Sequence, residues 1–192
     1  MFLKRLFKKN GNGDEKFAER NQPCYDKNGK FLGWFSRSIA SVLFVFCKDK
    51  DGSLYVLASE RGTGAADFQG YWNCPCGYLD FGEKIASSAC RELKEECGVE
   101  VDPNKIVMFG YEDSPSANHQ NVTFRFTCLI DDRTIDEIKF SKDGNEKNEV
   151  GEIKWVPIGE IDAYKWAFGH EKRIHEAIGF LGLKLKKVKK IK

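Results

Sequence analysis

Residues 77–99 read GYLDFGEKIASSACRELKEECGV. Within them Ile85, Ala86, Ala89, Cys90, Leu93 and Cys97 recur at spacings of three and four, which gives a helix one apolar face. Gly98 follows at once, where a glycine in the left-handed region ends a helix. The pattern therefore predicts a helix over 83–97. Residues three and four apart share a face, so Glu92 projects beside both Glu95 and Glu96 while Leu93 and Cys97 turn toward the core. Three adjacent like charges repel one another and cost stability if left alone. A hard divalent cation removes that penalty, and carboxylate oxygens suit Mg²⁺ or Mn²⁺.

Mg²⁺ usually holds few protein carboxylates, keeps waters, and takes its remaining ligands from substrate phosphates. Such a cation screens phosphate charge and lowers the pKa of a bound water. These are the needs of diphosphate hydrolysis. Around the carboxylates, Arg91 is within reach of Glu83 at the helix entry, an ion pair that would brace the preceding loop. Gly77 and Gly82 give that loop the freedom to bring a carbonyl near the cation.

An acidic helix face alone is most often just solvated. The spacing here is fuller: Gly77, five residues, Glu83, seven residues, then Arg91, Glu92, Leu93, Glu95, Glu96, Gly98 and Val99. From average residue usage, a chance match to that whole pattern is on the order of 10⁻⁸. The stretch resembles the box of the Nudix hydrolases. Outside it, Arg61 after the second strand, Trp72 just before the box and Trp155 in EIKWVP also resemble the family, so that about residues 37–165 look Nudix-like.

The resemblance implies an α/β fold, a Nudix-type α/β/α sandwich around a mixed β-sheet. It implies hydrolysis of a nucleoside diphosphate linked to another moiety, with Mg²⁺ or Mn²⁺. Carried over by position, Glu92 and Glu96 are the principal metal ligands, and Glu95 is a further ligand or a water-activating base. The carbonyl of Cys76 or Gly77 is a main-chain ligand; many members have Gly-Gly where this chain has Cys76-Gly77, but a carbonyl ligand survives any side chain. Glu83, Arg91, Gly77 and Gly98 support the site. A general base in this family often lies outside the helix; Glu149 is the first candidate, then Glu152 and Glu112. Arg61 and Trp72 are candidates for substrate contact, Trp72, Tyr71, Phe35 and Trp34 for stacking on a base, and His119, in the polar loop SPSANHQN, either reaches a substrate or is solvated. A non-catalytic nucleotide-binding or regulatory module and an RNA-cap-type hydrolase are the alternatives; the full set of glutamates argues against the first.

Working outward, 38–47 (SIASVLFVFC) reads as a core strand, 48–52 (KDKDG) as a turn and 54–58 (LYVLA) as the returning strand. The stretch 71–76 is a short extended segment. Further strands are expected at 106–111, 122–130 and 153–156, and helices at 158–164 and 171–181. Asp26-Lys27-Asn28-Gly29 is a turn signal between two short strands. Strands, a helix, strands and then helices fit a mixed sheet with helices on its faces.

The 192 residues, 41% of them hydrophobic and 13% aromatic, suit one domain with a full core. The expected organisation is a polar, basic leader over 1–20, a single domain over 21–182 and a basic tail over 183–192. A net charge of +2 is too small to argue for nucleic acid, so the expected partner is a small nucleotide-type diphosphate. No membrane partner is expected, since no apolar run approaches the roughly 20 residues of a bilayer span. The segment before Ser38 is a candidate homodimer contact. Residues 1–9 lack the apolar stretch of a secretory signal. A cytoplasmic protein with seven reduced cysteines is therefore expected.

Overall fold

A computed structural model describes residues 22–35, 37–114, 121–142 and 148–183. His119 and both basic termini lie outside these. Two compact units, 1–37 and 38–192, separate by their internal contacts. In the first, β1 (Gln22–Tyr25) and β2 (Phe31–Phe35) form the expected antiparallel hairpin. Its turn is closed by Asp26, whose Oδ1 accepts from the backbone N–H of Asn28 and of Lys30 at 2.8 Å.

The second unit is built on β3 (Ile39–Lys48), the run without polar alternation. Such a strand is buried on both faces. Val42, Phe44 and Phe46 enter one core layer, and Leu43, Val45 and Cys47 enter the other. After β3 come β4 (Leu54–Arg61), β5 (Trp72–Asn73), β6 (Cys76–Tyr78), α1 (Ile85–Cys97), β7 (Val107–Glu112), β8 (Val122–Ile130), β9 (Val150–Pro157) and α2 (His170–Phe180). The seven strands form one mixed sheet. Along one edge of β3 runs β8, parallel from Ile39↔Val122 to Cys47↔Ile130, and β7 closes that side. α1 covers the layer with Leu43, and α2 covers the layer with Phe44. The result is the α/β/α sandwich around a mixed sheet.

The other edge of β3 divides. Its end pairs with the start of β4, from Phe46↔Val56 to Lys48↔Leu54, whereas its beginning pairs with β6, from Ala40↔Tyr78 to Val42↔Cys76. β4 meanwhile pairs with β5 and, along its outer edge, with β9. β3 and β4 thus part like a fork, and 72–78 fills the gap. The segment 158–164 forms a 3₁₀ turn, Ile158–Ala163, in place of the expected α-helix. Ile158 and Ile161 are both buried, and a three-residue repeat aims both inward.

Candidate active site

The fork and α1 meet at one cleft. Leu93 and Cys97 are fully buried, which fixes the rotation of α1. Gly98, at φ +71°, ends the helix with its N–H on the Lys94 carbonyl at 2.8 Å. Ser88 reaches back to β3, its Oγ 3.2 Å from that of Ser41. With the rotation set, Glu92, Glu95 and Glu96 face a cleft of about 720 Å³ that Arg61, Asn73, Cys76, Gly77, Asp80 and Glu149 also line.

Arg91 organises the rim. Its Nε and Nη2 donate to the two Glu83 oxygens at 3.1 and 3.2 Å, and Nη2 also donates to the Tyr78 carbonyl at 3.0 Å. Nη1 donates to Glu92 at 2.8 Å and to Glu95 at 2.9 Å. One guanidinium thereby ties the loop, the fork strand β6 and the helix together, and the expected Glu83–Arg91 pair is part of a wider hub. The hydrogen bond to Glu83 raises the Arg91 pKa, so it stays charged. Partial burial pushes Glu83 up, but Arg91 and the Asp80 N–H outweigh it and hold Glu83 below its ordinary value.

Glu92 and Glu96 behave differently. Burial raises Glu92 despite its Arg91 partner. Burial, and then the Glu92 charge, push Glu96 up to about 8. Its donors are distant: the Cys76 N–H at 3.4 Å and the Ser59 hydroxyl at 3.5 Å. Gly77 is needed here for space, not for its φ. A Cβ there would stand 2.2 Å from the Glu92 carboxylate. Gly82, at φ +80°, does need the left-handed region.

Among the described residues, no three His, Cys, Asp or Glu side chains already converge on one point. Arg91 draws Glu95 and one oxygen of Glu92 aside. The donor chemistry still fits a hard divalent cation. Two adjacent carboxylates with few hydrogen-bond donors line the cleft, and Mg²⁺ requires only one or two of them.

Glu149 lines the cleft, and its segment is anchored there by the backbone. Gly62 donates its N–H to the Glu149 carbonyl at 2.7 Å, and a Cβ on Gly62 would collide with Asn148. Arg61 lines this cleft and holds Asp67, with Nη2 2.5 Å from Oδ1. Trp72 differs from the substrate contact expected of it. It is buried in the core, with the Lys154 ammonium over its ring and Tyr164 edge-on, and lines neither cleft. Glu152 is exposed and sits 3.4 Å from Lys154. Tyr71 packs edge-on to Phe68. Trp34 and Phe35 belong to the hairpin.

A second cleft, about 680 Å³, adjoins the first and shares Arg61, Ala66, Cys76, Gly77 and Tyr78 with it. Glu112 lines this one, paired with Arg173 at 3.2 Å. Sequence reasoning missed three further residues that line it, Arg125, Arg173 and His170. His170 is buried and neutral. Burial, then the charges of Arg61 and Arg173, lower its pKa to about 3, and its Nδ1 accepts the Cys74 N–H at 3.0 Å.

A sequence model of the NUDIX domain matches residues 37–177. Nudix hydrolase 7 of Arabidopsis thaliana is 26% identical over 111 residues, 58% of this chain and 37% of that protein. The chain thus matches only about a third of that relative's length. The NUDIX domain of Shewanella oneidensis NrtR, solved with ADP ribose, superposes with a TM-score of 0.62 at 23% identity, covering 82% of this chain and 94% of that one. A bifunctional NMN adenylyltransferase/ADP ribose pyrophosphatase from Francisella tularensis, solved with AMP and a Mn ion, gives 0.59 at 17% identity, covering 76% and 42%. With the family pattern spanning most of the chain, this protein belongs to the Nudix family.

Proposed function

We propose that the protein is a Mg²⁺- or Mn²⁺-dependent pyrophosphohydrolase that cleaves the diphosphate of a nucleoside diphosphate linked to another moiety. The observation that carries this is the meeting of Glu92, Glu95 and Glu96 with Arg61 and Glu149 in one cleft. The ADP ribose held by the NrtR domain, and the AMP and Mn of the Francisella protein, are consistent with that substrate class.

Glu92 and Glu96 would hold the cation, with the Cys76 carbonyl as a main-chain ligand. A divalent cation there supplies charge screening on the diphosphate and a more acidic water. Arg61 binds a phosphate oxygen at the junction of the two clefts. Glu149 takes the proton from the attacking water, a step that typically contributes about 10²–10⁴-fold. Glu95, paired with Arg91 on the same helix face, would be the further ligand or the water-activating group. Arg91 and Glu83 brace the loop that carries Gly77.

The test is Glu96→Gln assayed against a panel of diphosphate compounds with Mg²⁺ and with Mn²⁺. Turnover by the natural chain and its loss in the variant, at an unchanged circular dichroism spectrum, are expected. Phosphate release unchanged by the substitution would sink the mechanism.

A further inference from the structure

The two strands that lead to Arg61 and Glu149 break their ladder where they enter the first cleft. β4 and β9 pair in one register from Tyr55↔Pro157 to Ser59↔Ile153, and then Arg61 faces Val150. Gly151 and Glu152 therefore oppose the single residue Glu60, which makes a bulge on β9. A bulge bends the strand that carries the extra residue and re-aims the side chains beside it. Beyond this one come Val150 and Glu149, both lining the cleft.

A close main-chain contact fixes the bent end. Gly62 donates its N–H to the Glu149 carbonyl at 2.7 Å, and Gly64 donates to the Asn148 carbonyl at 3.0 Å. The Ala65 N–H closes the turn that aims these donors, on the Gly62 carbonyl at 3.2 Å. Arg61 ties the same turn down on its other side: its N–H meets the Tyr71 carbonyl and its carbonyl meets the Gly70 N–H, both at 2.8 Å. Gly62 is needed for space, because a Cβ would stand 2.2 Å from the Asn148 oxygen and 3.2 Å from the Glu149 carbonyl carbon. These are main-chain atoms, which cannot swing aside as the tip of a side chain can. Asn148 completes the contact at φ +54°, in the left-handed region that asparagine enters more readily than most residues. Asn148 and Glu149 are both exposed, so core packing does not demand this geometry. Strained backbone that packing does not require concentrates at functional sites.

We infer that Gly62 and Asn148 are positioning residues, a main-chain clasp that sets Glu149 in the cleft and locks it to the segment carrying Arg61. This rests on reading Glu149 as the group that takes the proton from the attacking water. Neither clasp residue needs to touch substrate. Together they hold the proton acceptor and the phosphate contact at one separation, although the two lie on different strands and far apart in the chain.

A double-mutant cycle on the full chain tests the clasp, with Mg²⁺ and the compound of the diphosphate panel that the chain turns over fastest. Gly62→Ala must move the 148–149 peptide by about 1 Å, a misplacement that costs about 10²-fold when it falls on a reacting group. Its kcat should drop by that factor while KM stays within about threefold, because Arg61 remains tied to the 70–71 turn. In a Glu149→Gln background the same substitution should cost less than about twofold, since the group it displaces is already disabled. Asn148→Gly, free to adopt the left-handed region, should keep kcat, and Asn148→Val, which resists that region, should lose it as Gly62→Ala does. Asn148 is exposed, so Asn148→Val gives the same reading if Gly62→Ala folds poorly. An equal loss from Gly62→Ala in both backgrounds, or full kcat in Asn148→Val, would overturn the inference and leave the hydrolase reading standing. Unchanged kcat in Glu149→Gln would pass the proton to another group and overturn the clasp's role as well. A natural chain that turns over none of the panel would overturn the hydrolase reading, and the clasp's role with it.

Discussion

Consider Glu96→Gln in protein stripped of divalent cations. The Glu96 carboxyl lies against the fork with only long hydrogen bonds, 3.4 Å from the Cys76 N–H and 3.5 Å from the Ser59 hydroxyl. Burial, reinforced by the Glu92 charge, raises it from 4.5 to about 8. A carboxyl raised in the folded state binds more protons there than in the unfolded chain between those two values. Stability therefore falls as pH climbs from about 4.5 to about 8, then levels off. At about 1.4 kcal/mol per unit, the ceiling on the lost stability is on the order of 5 kcal/mol. Solvent in an open cleft raises the effective dielectric, so ~1–3 kcal/mol is the working figure. Glutamine keeps the shape and cannot ionise. In EDTA the variant should melt close to the natural chain at about pH 5, but above it by ~4–8 °C at about pH 9, taking ~2 kcal/mol and 2–4 °C per kcal/mol. Added Mg²⁺ should raise the melting temperature of the natural chain at high pH and leave the variant nearly unmoved. A melting difference between the two proteins that does not change with pH would refute the reasoning.

Gly77→Ala should force the Glu92 carboxylate aside, since the new Cβ would stand 2.2 Å from it; Mg²⁺ affinity read from activity titrations should fall about 10–100-fold, with the fold intact. Arg91→Lys keeps the charge but loses the fork that reaches Glu83, Glu92, Glu95 and the Tyr78 carbonyl together. Its kcat should drop by about 10–100-fold with little change in KM; wild-type kcat would show that the hub is dispensable. Trp72→Ala should act on stability, by ~3–5 kcal/mol in a denaturant melt, as expected of a core residue that lines neither cleft.

What the sequence could disclose was local in period. The apolar spacing of α1, the unbroken run of β3 and the alternation of β8 are written within ten or so neighbouring residues, and so is the carboxylate face. The parallel register Ile39↔Val122 is not, because it joins residues far apart in the chain. The fork is hidden for the same reason, and with it the true demand on Gly77, which comes from a side chain one helix away. The 3₁₀ turn at Ile158–Ala163 looks helical because spacings of three serve both geometries. Trp72 looks like a ring free to stack until β9 brings Lys154 over it. His170 and Arg125 carried no local signal at all. Each acquires its place from partners in other elements: Cys74 for the first, Glu176 and the Tyr111 carbonyl for the second.

Why α1 tolerates its carboxylates follows from comparing magnitudes. Turning the helix by about one residue, 100°, would carry Glu96 toward water and relieve its desolvation. The same turn would lift Leu93 and Cys97, both fully buried, out of the layer they share with Leu43 and Leu57. Removing a buried leucine side chain alone costs ~2–5 kcal/mol, and Ala89 and Cys90 would lose contacts too. Ser88 would also give up its hydroxyl partner on β3. The apolar face therefore outweighs the charge penalty of ~1–3 kcal/mol worked out above, and the helix holds Glu96 where it is least comfortable. On this balance Leu93→Ala should weaken more than stability. By loosening the rotation of α1 it should let Glu96 relax toward solvent, so that the pH dependence of melting in EDTA becomes shallower than in the natural chain. An unchanged slope in a destabilised Leu93→Ala protein would show that the carboxylate is held by the fork strands alone.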